Sequence, residues 1–434
     1  MLARAAIVIA ALALGACATV RAPLATAAAA SPAAMDSARD IVLAVANPID
    51  PPATHAGSTL LGYTPPANYG AGQRAASLLA TLKQQYGLRE VTGWPIKALG
   101  LYCLVLEPPP GVERDALIKA LNEDERVQLA QPLQDYAVYS DDPPAADARS
   151  GVHHYNDPYA DLQRGFVETD AARAHATSQG RGVRVAVVDT GADLNHPDLQ
   201  GRIADQHNTV DADADRFNRD AHGTEVAGII AAAGDNHVGI VGIAPKATLS
   251  LYKACWYGDD RQTGARCNSF TLAKALAAVL DTDARIVNLS LGGPADPLLG
   301  KLLDVLLKQG RLVVAALPPD GRVGGFPDNA PGVIVVRAGS ASNAPPDVVS
   351  APGKDILTTQ PGGGYDFSSG SSMAAAHVSG ILALLLAVAP ELDAASAKQL
   401  LLASGSVTGG ARQVNAAIAV DALGQRIAQR ARAH

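Results

Sequence analysis

The sequence has no long basic cluster; across 434 residues, 42 Asp and Glu outnumber 35 Lys and Arg, for a net charge of −7. A phosphate backbone finds little electrostatic attraction on such a chain, so no nucleic-acid partner is expected. Charged residues are scarce overall, 18% against 48% hydrophobic, which argues against a disordered chain. The length allows a large core and more than one folded unit. A long apolar run is missing from the opening stretch "MLARAAIVIAALALGAC", where the run from Ala5 to Leu14 is about half of what spans a bilayer. An export signal over residues 1–16 fits this better than a permanent transmembrane helix. Cysteine is rare as well, with only Cys17, Cys103, Cys255 and Cys267. Cys103 lies in the apolar run "LGLYCLVLE", where a buried structural thiol is expected. In an exported chain Cys255 and Cys267 either close a short loop by a disulfide, contributing about 3 kcal/mol, or remain two separate thiols.

Residues 17–70 are rich in Ala and Pro without a sustained period, which reads as a spacer with no core of its own. From 71 to 140 the pattern changes. "AASLLATLKQQYG" and "GVERDALIKALNED" have helical spacing, with Val112, Ala116, Leu117, Ala120 and Leu121 on one face of the second, while "LGLYCLVLE" and "RVQLAQPLQDYAVY" read as extended. This predicts a small α+β unit. It ends in "SDDPPAADARSG", whose prolines and small polar residues mark an exposed linker over about 141–152. From 153 to 434, apolar extended runs at 184–189, 248–254, 285–292, 312–317 and 332–339 are separated by helix-like stretches such as 222–233 and 269–280. Runs apolar on both faces predict an α/β fold, a doubly wound and mostly parallel sheet with helices on both sides. Sites in that architecture collect at the carboxyl ends of strands.

Three such places carry reactive groups. Asp189 closes the first run and precedes "TGADLNHPDL"; "DAHGTEVAGIIAA" puts His222 at the start of a helix, with Gly223 permitting close approach; "GSSMAAAHVSGILALLL" opens another helix at Ser371 and Ser372. Carboxylate, imidazole and hydroxyl are the minimum for base-assisted nucleophilic attack, and a helix amino end favours developing negative charge.

"VVDTG", "HGTEVAG" and "GSSMAAAHVSG" resemble the three signature blocks of the subtilisin-like serine proteases, in Asp, His, Ser order, and the likeness runs through "GIVGIAP", "NLSLGG" and "FP" to cover about residues 153–425. The resemblance implies a polypeptide substrate, with Ser372 as nucleophile, His222 as base and Asp189 as its orienter. Ser371 occupies the family's threonine position; with the Ser372 N–H it would face the oxyanion. Ser290, Leu291 and Gly292 would line the substrate groove, and His377 would be structural. The 71–140 unit is similar to the family's propeptide, an inhibitor and folding aid, or else is an independent binding domain. Structural calcium is the family's usual ion, for which Asp198 and Asn236 would be ligands; the chemistry requires no cofactor. Leu14-Gly15-Ala16-Cys17 resembles the lipobox of bacterial lipoproteins, implying lipidation at Cys17 and a place in the cell envelope. A monomer is expected.

The departure is "VVAALPPDG". Where the family continues with Gly-Asn, whose amide donates to the oxyanion, this chain has Pro318 and Pro319, and proline has neither N–H nor side-chain donor. Glu225 replaces a second histidine and Ala376 a proline. Two functional classes follow: a serine endopeptidase with unusual oxyanion stabilisation, or a protease-derived binding or regulatory module with little turnover.

Overall fold

The structure, a computed structural model, describes residues 35–48, 70–139, 155–258, 264–339, 345, 347–408 and 411–433. The expected export signal, Cys17 and the 141–152 linker lie outside them.

The N-terminal unit consists of β1 (Ile41–Ala46), α1 (Gln73–Tyr86), β2 (Arg89–Ile96), β3 (Leu101–Glu107), α2 (Arg114–Asn122) and β4 (Leu129–Pro132), with sheet order β2-β3-β1-β4. The spacer expected over 17–70 is thereby corrected. β1 falls inside it, pairs antiparallel with both β3 and β4, and is an inner strand of the sheet. Its run of apolar residues follows from burial on both faces. Ile41, Leu43 and Val45 pack with Leu79, Leu82, Leu117 and Leu121 of the helices, whereas Val42 and Ala44 belong to a cluster that continues into the second unit. α1 stops at Gly87, whose φ of 66° lets its N–H return to Lys83. The stretch expected as one extended segment up to 139 is two strands. After β4 the chain leaves the unit as β5 (Asp135–Val138), which pairs elsewhere.

The second unit follows as β6 (Arg184–Asp189), β7 (Ile203–Asn208), α3 (Ala221–Ala231), β8 (Thr248–Lys253), β9 (Cys255–Tyr257), β10 (Ala265–Asn268), α4 (Ser269–Leu280), β11 (Ile286–Leu289), β12 (Leu291–Gly292), α5 (Pro297–Lys308), β13 (Leu312–Ala316), β14 (Ile334–Ala338), β15 (Val349–Ala351), β16 (Ile356–Gln360), β17 (Gly364–Ser368) and α6 (Ser371–Val388), with two further C-terminal helices. Its main sheet has seven parallel strands in the order β15-β14-β13-β11-β6-β8-β7. Alternation along β6 sends Val185 and Val187 into the core shared with α3 and α6, and Ala186 and Val188 into the core shared with α4 and α5. The strand order reverses around β6 and β11, so the crevice at their carboxyl ends is where this topology builds a site. α6 is long and apolar enough to cross a bilayer, yet 83% of it is buried inside the body, which makes it a core helix.

The two units are joined by more than apolar contact. Asp296 caps α5 by accepting from the N–H groups of Leu298 and Leu299, and its other oxygen accepts from Tyr136 and Ser269 at 3.0 and 2.6 Å. Gln131 of β4 accepts from the Leu298 N–H at 3.1 Å, so a side chain of the first unit helps to cap a helix of the second.

Candidate active site

Asp189 is the last residue of β6 and His222 lies in the first turn of α3; both side chains are buried. The Asp189 carboxylate lies 2.8 and 3.0 Å from His222 Nδ1 and also accepts the Thr190 N–H at 2.7 Å. Because both partners of Nδ1 are carboxylate oxygens, the proton sits on Nδ1 and Nε2 carries the lone pair. Close packing makes this possible: a Cβ on Gly223 would lie 1.9 Å from the Gly191 carbonyl oxygen. The His222 N–H donates to the Tyr257 hydroxyl at 3.2 Å, and the Gly223 N–H to Thr190 Oγ1 at 3.1 Å. Burial alone would lower the His222 pKa. The charge and hydrogen bond of Asp189, with the charge of Glu225, outweigh it and raise the imidazole above its ordinary value. Nε2 is buried and has no hydrogen-bond partner among the described residues.

Ser372 is fully buried in the first turn of α6, two residues after Gly370 with its φ of 142°. Its hydroxyl rests on the Ser290 carbonyl at 3.0 Å, and the Ser290 hydroxyl returns to the Ser372 carbonyl at 3.2 Å. Asn288 and Ser379 complete the chain: Ser379 Oγ donates to Asn288 Oδ1 at 2.8 Å and Asn288 Nδ2 to Ser290 Oγ at 2.9 Å. The structure therefore joins Asp189 to His222, and holds the Ser372 hydroxyl on Ser290. Ser371 is half-buried and opens on a cleft it shares with Tyr139, Leu317, Pro318, Pro319 and Arg337. The proline pair thus faces the start of the helix that carries Ser372.

Sequence reasoning missed the groups that support the Asp189–His222 pair. Lys253, fully buried at the end of β8, donates to the Thr190 carbonyl at 2.6 Å, to the Asp220 carboxylate and to the Cys255 carbonyl. One ammonium thereby ties the turn after Asp189 to the residue that precedes the His222 helix. The signal was a lysine in the otherwise apolar run "TLSLYKA". Burial raises Asp220 to about 6 despite the opposing pull of Lys253. Lys253→Met is expected to cost about 3–5 kcal/mol, since it strands a buried carboxylate. The pH dependence has a definite sign. Without the ammonium the folded pKa of Asp220 moves further above its unfolded value, so stability falls as pH rises through it. Urea midpoints should separate from the parent more at pH 8 than at pH 5; equal separation would mean that Asp220 carries no charge in the fold.

Glu225, which stands where the resemblance has a second histidine, is buried with Gln360 Nε2 at 2.7 Å and Ser368 Oγ at 2.9 Å. Its charge reaches His222 from the same helix. His377 donates Nδ1–H to the Met373 carbonyl at 2.8 Å, and burial pushes it down to about 4, so it stays neutral and structural. Cys255 and Cys267 are bonded across facing positions of β9 and β10. Cys103 is buried and its thiol is pushed up to about 12 by that burial, which leaves it inert.

Asp198 and Asn236 do meet, but the amide donates Nδ2–H to Asp198 at 2.9 Å while its own oxygen accepts the Val238 N–H at 2.9 Å, which pins its orientation. Tyr365 and the Ile240 N–H occupy the other Asp198 oxygen, each at 2.9 Å. N–H and O–H groups face the carboxylate where a calcium cage needs converging oxygens. The arrangement does not fit the ion. Among the described residues no group of three or more His, Cys, Asp or Glu is placed to hold a metal.

A model of the subtilase family matches residues 180–421, more than half of the chain. The chain belongs to the subtilase family. This subtilase is 35% identical over 283 residues to a thermophilic serine proteinase of Bacillus sp. (strain AK1), a match that covers 62% of this chain and 66% of that one. It is 34% identical over 244 residues to thermitase of Thermoactinomyces vulgaris, covering 53% of this chain and 84% of thermitase. In fold it is similar to fervidolysin of Fervidobacterium pennivorans, with a TM-score of 0.67 at 22% identity over 88% of this chain and 61% of that one. The family is that of subtilisin-like serine proteases, and its chemistry needs no cofactor.

Proposed function

We propose that this subtilase is an exported serine endopeptidase, acting as a monomer through Asp189, His222 and Ser372. The observation that carries the reading is the buried Nε2 of His222, an acceptor without a partner among the described residues, on a ring whose other nitrogen is held by a buried carboxylate. Rotation of the Ser372 hydroxyl from the Ser290 carbonyl to Nε2 completes the relay. Ser372 Oγ then adds to the scissile carbonyl as its proton passes to Nε2; the C–N bond breaks, the proton leaves with the amine, and water hydrolyses the ester by the same route in reverse. The Ser372 N–H, the Ser371 hydroxyl and the amino end of α6 face the oxyanion in this scheme. A peptide enters as a strand added to β12. The N-terminal unit acts as a pro-segment, with β5 in that groove. Residues 1–16 direct export and Cys17 anchors the chain in the cell envelope; an oxidising compartment suits the Cys255–Cys267 bond. Cys17→Ser is expected to move the protein from the membrane fraction to the soluble one.

The test is labelling of the chain with a fluorophosphonate, with Ser372→Ala as control. Labelling of the parent alone supports the endopeptidase. An unlabelled parent that also leaves a mixed peptide library intact would favour the second reading, a binding module, for which Pro318 and Pro319 are the specific argument.

The raised imidazole sets the acid limb of activity. Protonated His222 cannot take the serine proton, so kcat/KM is expected to fall as pH drops through an apparent pKa above about 6.5, the ordinary value. Glu225→Gln removes one of the charges raising it and should shift the limb to lower pH. A limb that stays in place in pH–rate profiles would show that Glu225 does not act on His222.

A further inference from the structure

We infer that Tyr257 is a positioning residue for His222, held at the start of α3 by the Cys255–Cys267 bond. The inference rests on the endopeptidase reading.

A helix opens with N–H groups that its own turns cannot satisfy, and a serine, threonine, asparagine or aspartate at the N-cap is the usual acceptor. α3 has Asp220 at that place, yet the Asp220 side chain makes no cap bond. Its carboxylate is taken by the Lys253 ammonium instead. The acceptors come from outside the helix. Thr190 Oγ1 receives the Gly223 N–H at 3.1 Å, and the Tyr257 hydroxyl receives the N–H of His222 itself at 3.2 Å. The backbone of the base is thereby tied to a side chain from another sheet.

Tyr257 ends β9, which belongs to a sheet of order β12-β5-β10-β9 and not to the main one. The route from β8 into β9 stays close to the Asp189–His222 pair throughout. Lys253 donates to the Thr190 carbonyl at 2.6 Å, the Ala254 N–H to the Asp189 carbonyl at 2.8 Å, and Tyr257 then meets His222. Burial first, then the charges of Asp189, Glu225 and Asp220, raise the phenol above its ordinary value against the pull of the His222 N–H, so the hydroxyl stays protonated at neutral pH.

β9 is three residues long and pairs with β10, with Tyr257 opposite Ala265 and Cys255 opposite Cys267. So short a ladder is marginal by itself. β10 is better anchored: it pairs with β5 on its other side and runs into α4, whose N-cap Asn268 accepts the Thr271 N–H at 2.9 Å. The Cys255–Cys267 bond passes that anchorage to β9 just before Tyr257. The disulfide thus serves the geometry of the base as well as stability. Tyr257→Phe keeps the ring and removes the acceptor. The first turn of α3 then shifts, and with it the Nε2 that Ser372 must reach.

The test is steady-state kinetics of the full chain on a peptide nitroanilide, with active sites counted by fluorophosphonate and thermal melts in parallel. Tyr257→Phe is expected to lower kcat per labelled site about tenfold, with KM nearly unchanged and a near-parental melting temperature. Cys255→Ala with Cys267→Ala should lower kcat in the same sense. Adding Tyr257→Phe to that pair should cost less than it costs the parent, since the bond and the hydroxyl act through one contact. A cap that is purely structural would lower the melting temperature and leave kcat per labelled site in place, which overturns the inference. A Tyr257→Phe cost that is the same with and without the bond overturns it too. Should the cysteine variant not fold, the kcat and KM of Tyr257→Phe decide alone. These results leave the endopeptidase standing; a parent that neither labels nor cleaves overturns both.

Discussion

Replacing Asp189 with Asn is expected to lower kcat about 10⁴-fold with KM nearly unchanged. The carboxylate accepts from Nδ1 with both oxygens, so the ring is held as the tautomer whose lone pair lies on Nε2. An amide in the same place can donate to Nδ1. The proton then moves to Nε2, and the base no longer has a lone pair to offer Ser372. A second effect adds to this. With the Asp189 charge gone, the main cause of the raised imidazole is removed and burial dominates, so the acid limb should shift to lower pH as well. The groove strands β12 and β10 are untouched by the change. Steady-state kinetics on one peptide substrate, with active sites counted by fluorophosphonate, measure both parameters. A loss below tenfold would remove Asp189 from the role of orienter.

The reverse change should repair the oxyanion site. Pro318→Gly with Pro319→Asn restores a backbone N–H and a side-chain amide in the cleft that opens beside Ser371. One well-placed donor is worth about 10²–10³ in kcat to a serine protease, and that gain is the expected result. Replacing prolines frees the unfolded chain, at about 0.4–1 kcal/mol each, which leaves the fold intact. The effect should appear in kcat, since the charge it stabilises exists only in the transition state. An unchanged kcat would mean that the Ser372 N–H and the Ser371 hydroxyl already satisfy the oxyanion.

Asp189, His222 and Ser372 were legible as candidates because each sits where a strand ends or a helix begins, among small residues whose only evident use is close approach. The parallel strands were legible for a related reason, since burial on both faces leaves runs such as "RVAVVD" with no polar interruption. β1 has the same signature, but the Ala and Pro around it hid a six-residue strand inside what reads as spacer. The fate of residues 126–139 could not be read at all. Alternation reveals an extended chain without saying which sheet it joins, and β4 and β5 join different ones. The Asp198 and Asn236 pair shows a different limit. Residue type gave two oxygen-bearing side chains at one place, whereas the amide is turned by the Val238 N–H two residues on so that its nitrogen, and not its oxygen, meets Asp198. Lys253 and Asp220 are 33 residues apart, and only the fold reveals that the ammonium and the carboxylate meet.

The shared packing of the two units has a temporal consequence. Val42, Ala44, Cys103 and Val105 lie in one apolar cluster with Leu272, Leu298 and Leu302, and Trp94 meets Phe270 edge to face at 6.1 Å. Hydrolysis of one peptide bond leaves all of this in place, along with the helix cap lent by Gln131. A chain cut between the two units would therefore stay together as a two-piece complex. The lifetime of such a pair would be set by how slowly that seam parts, a clock wound by buried apolar surface and run down by dilution or by destruction of the smaller piece.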